Sequence, residues 1–294
     1  MPAISGSTVR FLYGTAWKKE RTANLVFEAL RSGFRAIDTA AQPKHYQEHL
    51  VGQGIRQAIA AGIIQRGDIY IQTKYTSYPG QDPNNLPYNP NASITDQVNA
   101  SVASSLHNLR HTDSGGNSKD NETYLDCLVL HSPLSSISLT LEAWTAMSAY
   151  VPHRIRTLGI SNVTLPILEA LYSNAAVKPA VVQNRFYAAT RYDVPLRAFC
   201  KANGIQYQSF WTLTGNPKLL RSQVVGELAR TAGVSAESAL YGLVQGLGID
   251  VLNGTTSHME DDLNGTLQLS RWKEANDAAW QRYVRAFERL IKPL

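Results

Sequence analysis

The sequence has little of what marks secreted, zinc-binding or membrane-spanning proteins. Its 2 cysteines, Cys127 and Cys200, are too few for a disulfide framework, and no Cys/His cluster has zinc-ligand spacing. No run approaches the roughly 18 to 20 apolar residues that cross a bilayer, and the N-terminus lacks the basic start and continuous apolar stretch of a secretory signal. We therefore expect a cytoplasmic protein with no metal and no membrane partner.

Charge is also scarce. Charged residues make up 17% of the chain, against about 25% in ordinary soluble proteins. The net charge of +5 is spread out, without the Lys/Arg block that nucleic-acid binding requires. The hydrophobic content of 44% excludes a disordered chain. We expect a globular protein with a small anionic ligand, no nucleic-acid partner and no obligate protein partner.

Short apolar runs alternate with segments of helical spacing along the whole chain. The runs, typical of strands buried on both faces of a parallel sheet, are Arg10–Tyr13, Phe34–Ile37, Ile69–Lys74, Leu125–Leu130, Thr157–Ile160, Ala180–Gln183, Ile205–Phe210 and Ile249–Leu252. The helix candidates between them, with apolar residues three and four positions apart, are Arg21–Ser32, His49–Ala61, Ile94–Leu109, Leu139–Tyr150, Leu165–Ser173, Val194–Ala202 and Ser235–Leu247.

This alternation predicts one α/β domain over residues 1–294, a closed (β/α)8 TIM barrel. The alternative is an open, doubly wound sheet. It is disfavoured because no Gly-x-Gly-x-x-Gly turn follows an early strand.

Three further segments interrupt or follow the alternation. The long loop at 76–93 is rich in Pro, Asn and Tyr and follows a strand's carboxyl end, so we expect it to wall a substrate pocket. The loop at 112–123 is polar and Gly-rich and is expected on the opposite face. The segment 271–291 predicts a C-terminal helix packed across the barrel wall, with a partner-binding helix as the alternative.

Three strand candidates end in ionisable side chains. These are Asp38, Lys74 and His131. Side chains at the carboxyl ends of barrel strands converge on the barrel axis. Burying a cation beside a carboxylate is costly, and perturbed ionisable groups cluster at functional sites. The three residues therefore predict a catalytic centre.

Five segments around these residues resemble the aldo-keto reductases. In order they are FRAIDTA with the later Glu48-x-x-Val51-Gly52, then IQTK, LVLHSP, LGISN and VVQNRFY. The resemblance runs from Gly14 to about Asp262. It implies a (β/α)8 barrel that transfers a hydride between NADP(H) and a small-molecule carbonyl or alcohol substrate, with NAD(H) as the alternative cofactor.

The resemblance also implies catalytic roles. A Tyr donates the proton, Lys74 lowers the pKa of that Tyr from about 10 by favouring the phenolate, and Asp38 keeps Lys74 charged. His131 orients the carbonyl or aids proton transfer.

Two residues compete for the place of the Tyr. Tyr46 lies 8 positions after Asp38, where the family usually has five, so Gln42-Pro43-Lys44 is interpreted as an insertion. Counting back from Glu48 places His45 in the Tyr register instead. We prefer Tyr46, because a phenol has the required chemistry and a loop can absorb a shift of one residue.

Ligand-binding residues follow from the same resemblance. The nicotinamide is assigned to Ser161, Asn162 and Gln183, which bind its amide group, and to Phe210 as the stacking aromatic; Gly14, Thr15 and Leu213 are assigned to the cofactor without a particular part of it. The adenosine half is assigned to Asn253, Gly254, Thr255, Thr256, His258, Asp261 and Asp262. No Lys-Ser pair or Arg follows the eighth strand, so we expect only a modest preference for NADPH. The substrate pocket is assigned to Trp17, His45 and Trp211.

Two other functions stay open. A Schiff-base lyase would use Lys74 as a neutral amine, although a lyase has no nicotinamide for Ser161, Asn162 and Gln183 to hold. A non-redox or regulatory barrel of the same fold would keep the cofactor pocket and lose the acid. The altered position of the Tyr leaves room for that second function.

Overall fold

The computed structural model describes residues 10–112 and 123–292. Eight parallel strands hydrogen-bond in chain order, and the eighth returns to the first. They are β1 Phe11–Gly14, β2 Ala36–Asp38, β3 Tyr70–Tyr75, β4 Leu125–Leu130, β5 Ile155–Ser161, β6 Val181–Arg185, β7 Gln206–Phe210 and β8 Asp250–Asn253. The predicted closed barrel is confirmed.

Helices surround the barrel. They are α1 Thr22–Ser32, α2 Glu48–Ala60, α3 Ile94–Asn108, α4 Ile137–Ser148, α5 Leu165–Asn174, α6 Val194–Ala202, α7 Pro217–Leu220, α8 Gln223–Ala232, α9 Ala236–Gly246, α10 Met259–Ala275 and α11 Asp277–Ile291. Among the described residues, none of these helices combines the length and apolar character needed to cross a membrane.

The predicted bounds of β4 and α6 match the structure, and the other predicted elements shift by one or two residues. Helices α8 and most of α10 were not expected, because they bury few apolar side chains; α10 buries only Met259, Asp262 and Leu269. The loop expected at 112–123 lies, apart from its two end residues, outside the described residues.

The segment 271–291 was expected as one helix but is divided at Asn276. The backbone of Asn276 leaves the helical region (φ −135°, ψ 40°), and its side chain donates to the carbonyl of Trp272 at 2.9 Å. Helix α11 then buries Trp280, Val284, Phe287 and Ile291. Trp280 and Val284 lie against Gly246 at the end of α9, where a Cβ would approach Trp280 to 2.8 Å.

A close helix contact near the site explains the glycine of the Glu48-x-x-Val51-Gly52 motif. A Cβ at Gly52 would collide with the backbone carbonyl of Asn108, so α2 and the end of α3 touch there. The buried Glu48 carboxylate accepts hydrogen bonds from Thr73 on β3 at 2.5 Å and from Ser105 on α3 at 2.9 Å. The motif therefore fastens two helices to the strand that carries Lys74.

The barrel interior has an apolar and a polar layer. Cys127, Val129 and Val181 form a small apolar cluster separate from the main core. Side chains two residues apart on a strand point to the same side, so Gln183 lies one step above Val181 on β6. The polar layer faces the carboxyl ends of the strands, where the candidate site lies.

Candidate active site

A buried ion pair lies at the centre of the barrel mouth. Nζ of Lys74 is 2.6 Å from Oδ2 of Asp38 and donates to the carbonyl of Thr39 at 2.8 Å. Both charged side chains are almost fully buried. Burial opposes the charge on Lys74, but the attraction of Asp38 and its hydrogen bond prevail, so the pKa of Lys74 is raised. Lys74 therefore remains a cation at neutral pH.

Two glutamines donate to the other oxygen of Asp38, and a third glutamine joins them. Oδ1 accepts from Nε2 of Gln72 at 2.7 Å and from Nε2 of Gln183 at 2.9 Å. The same two amides donate to Oε1 of Gln208 at 2.8 and 3.0 Å. A buried carboxylate costs much less when it is paired and fully hydrogen-bonded, so this network holds Asp38 in place beneath Lys74.

Tyr46 lies beside this ion pair. Nζ of Lys74 is 5.3 Å from the centroid of the Tyr46 ring, which also meets the ring of His131 edge-on with centroids 6.1 Å apart. Burial raises the pKa of Tyr46, and Lys74 lowers it by a smaller amount. The net effect is a raised pKa of Tyr46, whereas the sequence predicted a lowered one. That prediction considered the charge of Lys74 but not the burial of the phenol.

His131 follows β4 and is held by Thr76. The hydroxyl of Thr76 lies 2.6 Å from Nδ1 of His131, which leaves Nε2 for a ligand. Burial and the nearby charge of Lys74 lower the pKa of His131 to about 3. The imidazole is therefore neutral at physiological pH.

His45 occupies a different position from Tyr46. Its ring packs against the indole of Trp17 with centroids 3.8 Å apart and the planes tilted by 36°, and its carbonyl accepts from the backbone of Trp17 at 2.8 Å. Burial lowers the pKa of His45, and His45 is near enough to lower the pKa of His131 as well. The turn therefore directs Tyr46 toward Lys74 and His45 toward the exposed Trp17.

All three residues assigned to the nicotinamide amide group are hydrogen-bonded within the protein. Oγ of Ser161 donates to the carbonyl of Gln183 at 2.6 Å, and the Gln183 amide nitrogen is engaged by Asp38 and Gln208. Asn162 is exposed at a left-handed φ of 53° and donates to the carbonyl of His131 at 2.9 Å. Of the three, Asn162 is the one that the mouth of the barrel leaves open to a ligand.

Aromatic side chains line the mouth beside β7. Phe210 is half-buried and meets Trp211 edge-on with centroids 6.2 Å apart, while Trp211 is exposed. Leu213 is half-buried and packs against the main hydrophobic core. Two strands away, at the end of β1, a Cβ on Gly14 would lie 3.6 Å from the backbone carbonyl of Asn253, and the Thr15 hydroxyl donates to the carbonyl of Asp38 at 3.0 Å.

The turn after β8 is stabilised by its own side chains. Asn253 is buried, donates to Oδ2 of Asp262 at 2.7 Å and accepts from the backbone of Thr255 at 2.7 Å. The Thr255 hydroxyl accepts from the backbone of His258 at 3.0 Å. Gly254 and Thr256 are exposed, and His258 lies 3.6 Å from Asp261. Asn253 and Asp262 thus hold the turn together.

Lys18 also contacts this turn. Nζ of Lys18 donates to the carbonyl of Gly254 at 2.9 Å, and the Tyr13 hydroxyl donates to the carbonyl of Thr255 at 3.0 Å. Burial and the nearby Arg21 lower the pKa of Lys18 to about 8. This lysine binds backbone carbonyls and is not free for a ligand.

Two grooves open from the mouth. One, of about 570 Å3, runs between the loop after β3 and the loop after β4 and includes Tyr75, Thr76, Tyr78 and His131. The other, of about 470 Å3, runs between the loops after β5 and β6 and includes Asn162, Asn184 and Arg185. Within the described part of the chain, no group of three or more His, Cys, Asp or Glu side chains could hold a metal ion.

The family model for the aldo/keto reductase family matches residues 8–232. The oxidoreductase YtbE of Bacillus subtilis is 30% identical over 209 residues, 71% of this chain and 64% of its own length, slightly under two thirds. The 7-acetyl-epi-neemfruitin B aldo-keto reductase of Melia azedarach is 25% identical, over 93% of this chain and 82% of its own. An aldo-keto reductase of Bombyx mori in complex with NADP superimposes with a TM-score of 0.69 at 21% identity, covering 89% of this chain and 87% of that one. The chain belongs to the aldo/keto reductase family.

Four residues at the site were not predicted from the sequence. Gln72 and Gln208 precede Lys74 and Phe210 by two positions, so strand alternation places them one layer deeper on the same side. Thr76 follows Lys74 by two positions, and Arg185 follows Gln183 by two. The alternation applied in both directions from each strand end would have found all four.

Proposed function

We propose that this chain reduces an aldehyde or ketone by hydride transfer from NADPH, with Tyr46 as the proton donor. The observation that carries the proposal is the grouping of Tyr46 with the Asp38–Lys74 ion pair and His131 at the barrel mouth. Family membership supports carbonyl reduction. Two relatives are named as NAD(P)H-dependent enzymes, the D-xylose reductase of Pachysolen tannophilus and the 6'-deoxychalcone synthase of Glycine max.

The proton step follows from the electrostatics. Reduction adds a hydride to the carbonyl carbon and a proton to its oxygen, so the site needs a group that still holds its proton at neutral pH. The raised pKa of Tyr46 keeps the phenol protonated. Once the proton leaves, the charge of Lys74 stabilises the phenolate, and Asp38 holds that charge in position.

His131 orients the carbonyl as a neutral imidazole. When the Thr76 hydroxyl donates to Nδ1, Nε2 keeps its hydrogen and donates to the carbonyl oxygen. Because the pKa of His131 is about 3, almost none of its imidazole is protonated at neutral pH, so an imidazolium cannot serve as the acid. The acid role therefore falls to Tyr46.

NADP(H) fits the open side of the mouth. The exposed amide of Asn162 and the half-buried ring of Phe210 would hold the nicotinamide, and Leu213, Gly14 and the turn at 253–258 would border the rest. When bound, the cofactor supplies the hydride. Gln183, with its amide nitrogen committed to Asp38, would contribute only its oxygen.

The Schiff-base alternative is disfavoured by the same ion pair. A lyase needs Lys74 as a neutral amine, whereas Asp38 raises the pKa of Lys74 and keeps it charged.

The test is NADPH oxidation, followed at its absorbance band, with a panel of aldehydes and ketones. We expect turnover that Tyr46→Phe abolishes. Binding of NADPH without turnover of any carbonyl would favour a non-redox barrel, and a borohydride-trapped adduct on Lys74 would favour the lyase.

A further inference from the structure

The turn that carries Asn162 is held on both sides by consecutive residues of β6. Asn162 follows β5 with a left-handed φ of 53°, a conformation that few residues other than glycine and asparagine adopt. On its amino side, the Ser161 hydroxyl and the backbone N–H of Asn162 both bond the carbonyl of Gln183, at 2.6 and 3.2 Å. On its carboxyl side the turn is held by Asn184, the next residue of β6.

Asn184 bonds the backbone of Val163 with both ends of its side-chain amide. Oδ1 of Asn184 accepts from the Val163 N–H at 3.0 Å, and Nδ2 donates to the Val163 carbonyl at 2.8 Å. Both residues are buried, so these bonds satisfy backbone groups that water does not reach. Two hydrogen bonds to one residue restrain both its position and its orientation. Asn184 therefore fixes the backbone directly after Asn162.

Asp193 fixes the Asn184 amide in turn. Nδ2 of Asn184 also donates to Oδ2 of Asp193 at 2.7 Å, and the same oxygen accepts from the Tyr207 hydroxyl at 2.9 Å. With both hydrogens of Nδ2 engaged, the amide of Asn184 has one orientation.

The backbone that carries Asp193 is strained. Arg191, Tyr192 and Asp193 are three consecutive left-handed residues, with φ of 51°, 52° and 50°. Strain of this kind persists where the surrounding contacts hold it, and it is concentrated at functional sites. Here the strained connection after β6 places a carboxylate against Asn184.

We propose that Asn184 and Asp193 are positioning residues for Asn162, which binds the carboxamide of the nicotinamide ring. The inference rests on the proposed function, in which Asn162 holds that group. Nδ2 of Asn162 donates to the carbonyl of His131 at 2.9 Å, and within residues 10–112 and 123–292 its Oδ1 accepts no hydrogen bond. That oxygen is the acceptor for the carboxamide N–H. Because Asn162 is exposed, its place depends on the backbone that Asn184 holds.

Isothermal titration calorimetry with NADP+ and with 2′-phospho-ADP-ribose, the same molecule without its nicotinamide, tests the assignment. Asn184→Ala should weaken NADP+ binding by about tenfold, the effect of losing about one hydrogen bond, and should change the Kd of the fragment by less than about twofold. Asp193→Ala should show the same difference between the two ligands. Asp193→Asn keeps an acceptor for the Asn184 amide and tolerates the left-handed backbone, so its Kd values should stay within about twofold of wild type.

Thr157→Val is the matched control on the same strand as Ser161. It removes the hydrogen bond from the Thr157 hydroxyl to the carbonyl of Asp126 at 2.7 Å, in the amino half of β5. This variant should unfold at lower urea concentration and keep both Kd values. Circular dichroism checks that each variant folds, and the two Asp193 variants decide the question if Asn184→Ala does not.

Four results would overturn the proposal. Equal weakening of NADP+ and of the fragment would show a general loss of structure. Unchanged NADP+ affinity in both alanine variants would leave the pair without a role in binding. Asp193→Asn as weak as Asp193→Ala would assign the effect to charge. A wild type that binds NADP+ no more tightly than the fragment would have no carboxamide contact to position. Failure of the wild type to bind either NADP+ or NAD+ would instead refute the proposed function.

Discussion

The Gln183 side chain donates to Oδ1 of Asp38 at 2.9 Å across the barrel interior. The contact links a residue that the sequence assigned to the cofactor with the carboxylate that holds Lys74. Asp38 thereby receives two amide hydrogen bonds and one ammonium group, so its buried oxygens are engaged by donors from three side chains. The charge of Lys74, on which the proposed acid depends, is thus held in position by side chains from β2, β3, β6 and β7.

Replacing Lys74 should remove the charge that stabilises the Tyr46 phenolate. We expect Lys74→Met to slow carbonyl reduction by about 10²- to 10⁴-fold, with the NADPH Kd changed by less than about threefold. Single-turnover mixing measures the chemical step, and Lys178→Met, an exposed lysine on the outer wall, is the control. A single-turnover rate within about tenfold of wild type would rule out the assigned role of Lys74.

Tyr46 and His45 should differ sharply. Because Tyr46 faces Lys74 while His45 packs against Trp17, Tyr46→Phe should nearly abolish kcat. His45→Ala should mainly alter KM through the loosened Trp17. Circular dichroism checks that both variants fold. If His45→Ala proves the more damaging in kcat, the acid is His45.

The strand ends and the acid differ in how far the sequence could predict them. Asp38, Lys74 and His131 each terminate an apolar run, so their convergence followed from the barrel alone. The choice between Tyr46 and His45 depended on a turn in which the backbone N–H groups of both residues bond the carbonyl of Gln42 at 3.0 Å. Neighbouring residues in such a turn point their side chains in different directions. Residue spacing in the sequence does not predict which of the two faces Lys74.

The adenosine end shows a different limit. Asn253 and Asp262 were assigned to the cofactor on position alone, but Asn and Asp side chains also bond nearby backbone and one another. Here they hold the turn and the start of α10. Their roles toward the cofactor remain predictions.

Stability should fall in acid because of His131. Its pKa is about 3 in the folded chain and near its ordinary 6.5 when unfolded, so below pH 6.5 the unfolded state binds more protons. The free energy of unfolding then falls as pH drops from about 6.5 toward 3, by up to about 1.4 kcal/mol per pH unit.

Urea unfolding of wild type and His131→Gln from pH 7 to 4 isolates this contribution, since Glu48 and other groups affect both proteins alike. As pH falls, the free energy of unfolding of wild type should decrease more than that of His131→Gln. His258→Gln, at an exposed position, should track wild type. Parallel curves for wild type and His131→Gln would show that His131 is not buried as a neutral group.

The preference for NADPH over NADH should be modest. The turn at 253–258 has no Lys or Arg to bind a 2′-phosphate. Its Asn253 is bonded to Asp262 and its His258 lies beside Asp261, while the nearby Lys18 is held by backbone carbonyls. One charge-assisted phosphate contact is worth about 1.5 to 3 kcal/mol, or about ten- to more than a hundredfold in affinity.

Thr256→Lys places a cation on the exposed part of this turn without disturbing Asn253, and should widen the preference by about tenfold or more. Thr256→Ser controls for the lost side chain, and Asn253→Lys, which breaks the bond to Asp262, should lose stability as well. Calorimetric titration of both cofactors measures the ratio of the two Kd values. A wild-type preference beyond about a thousandfold would mean that a cation outside the turn, Lys218 in α7 or Arg221 directly after it, recognises the phosphate.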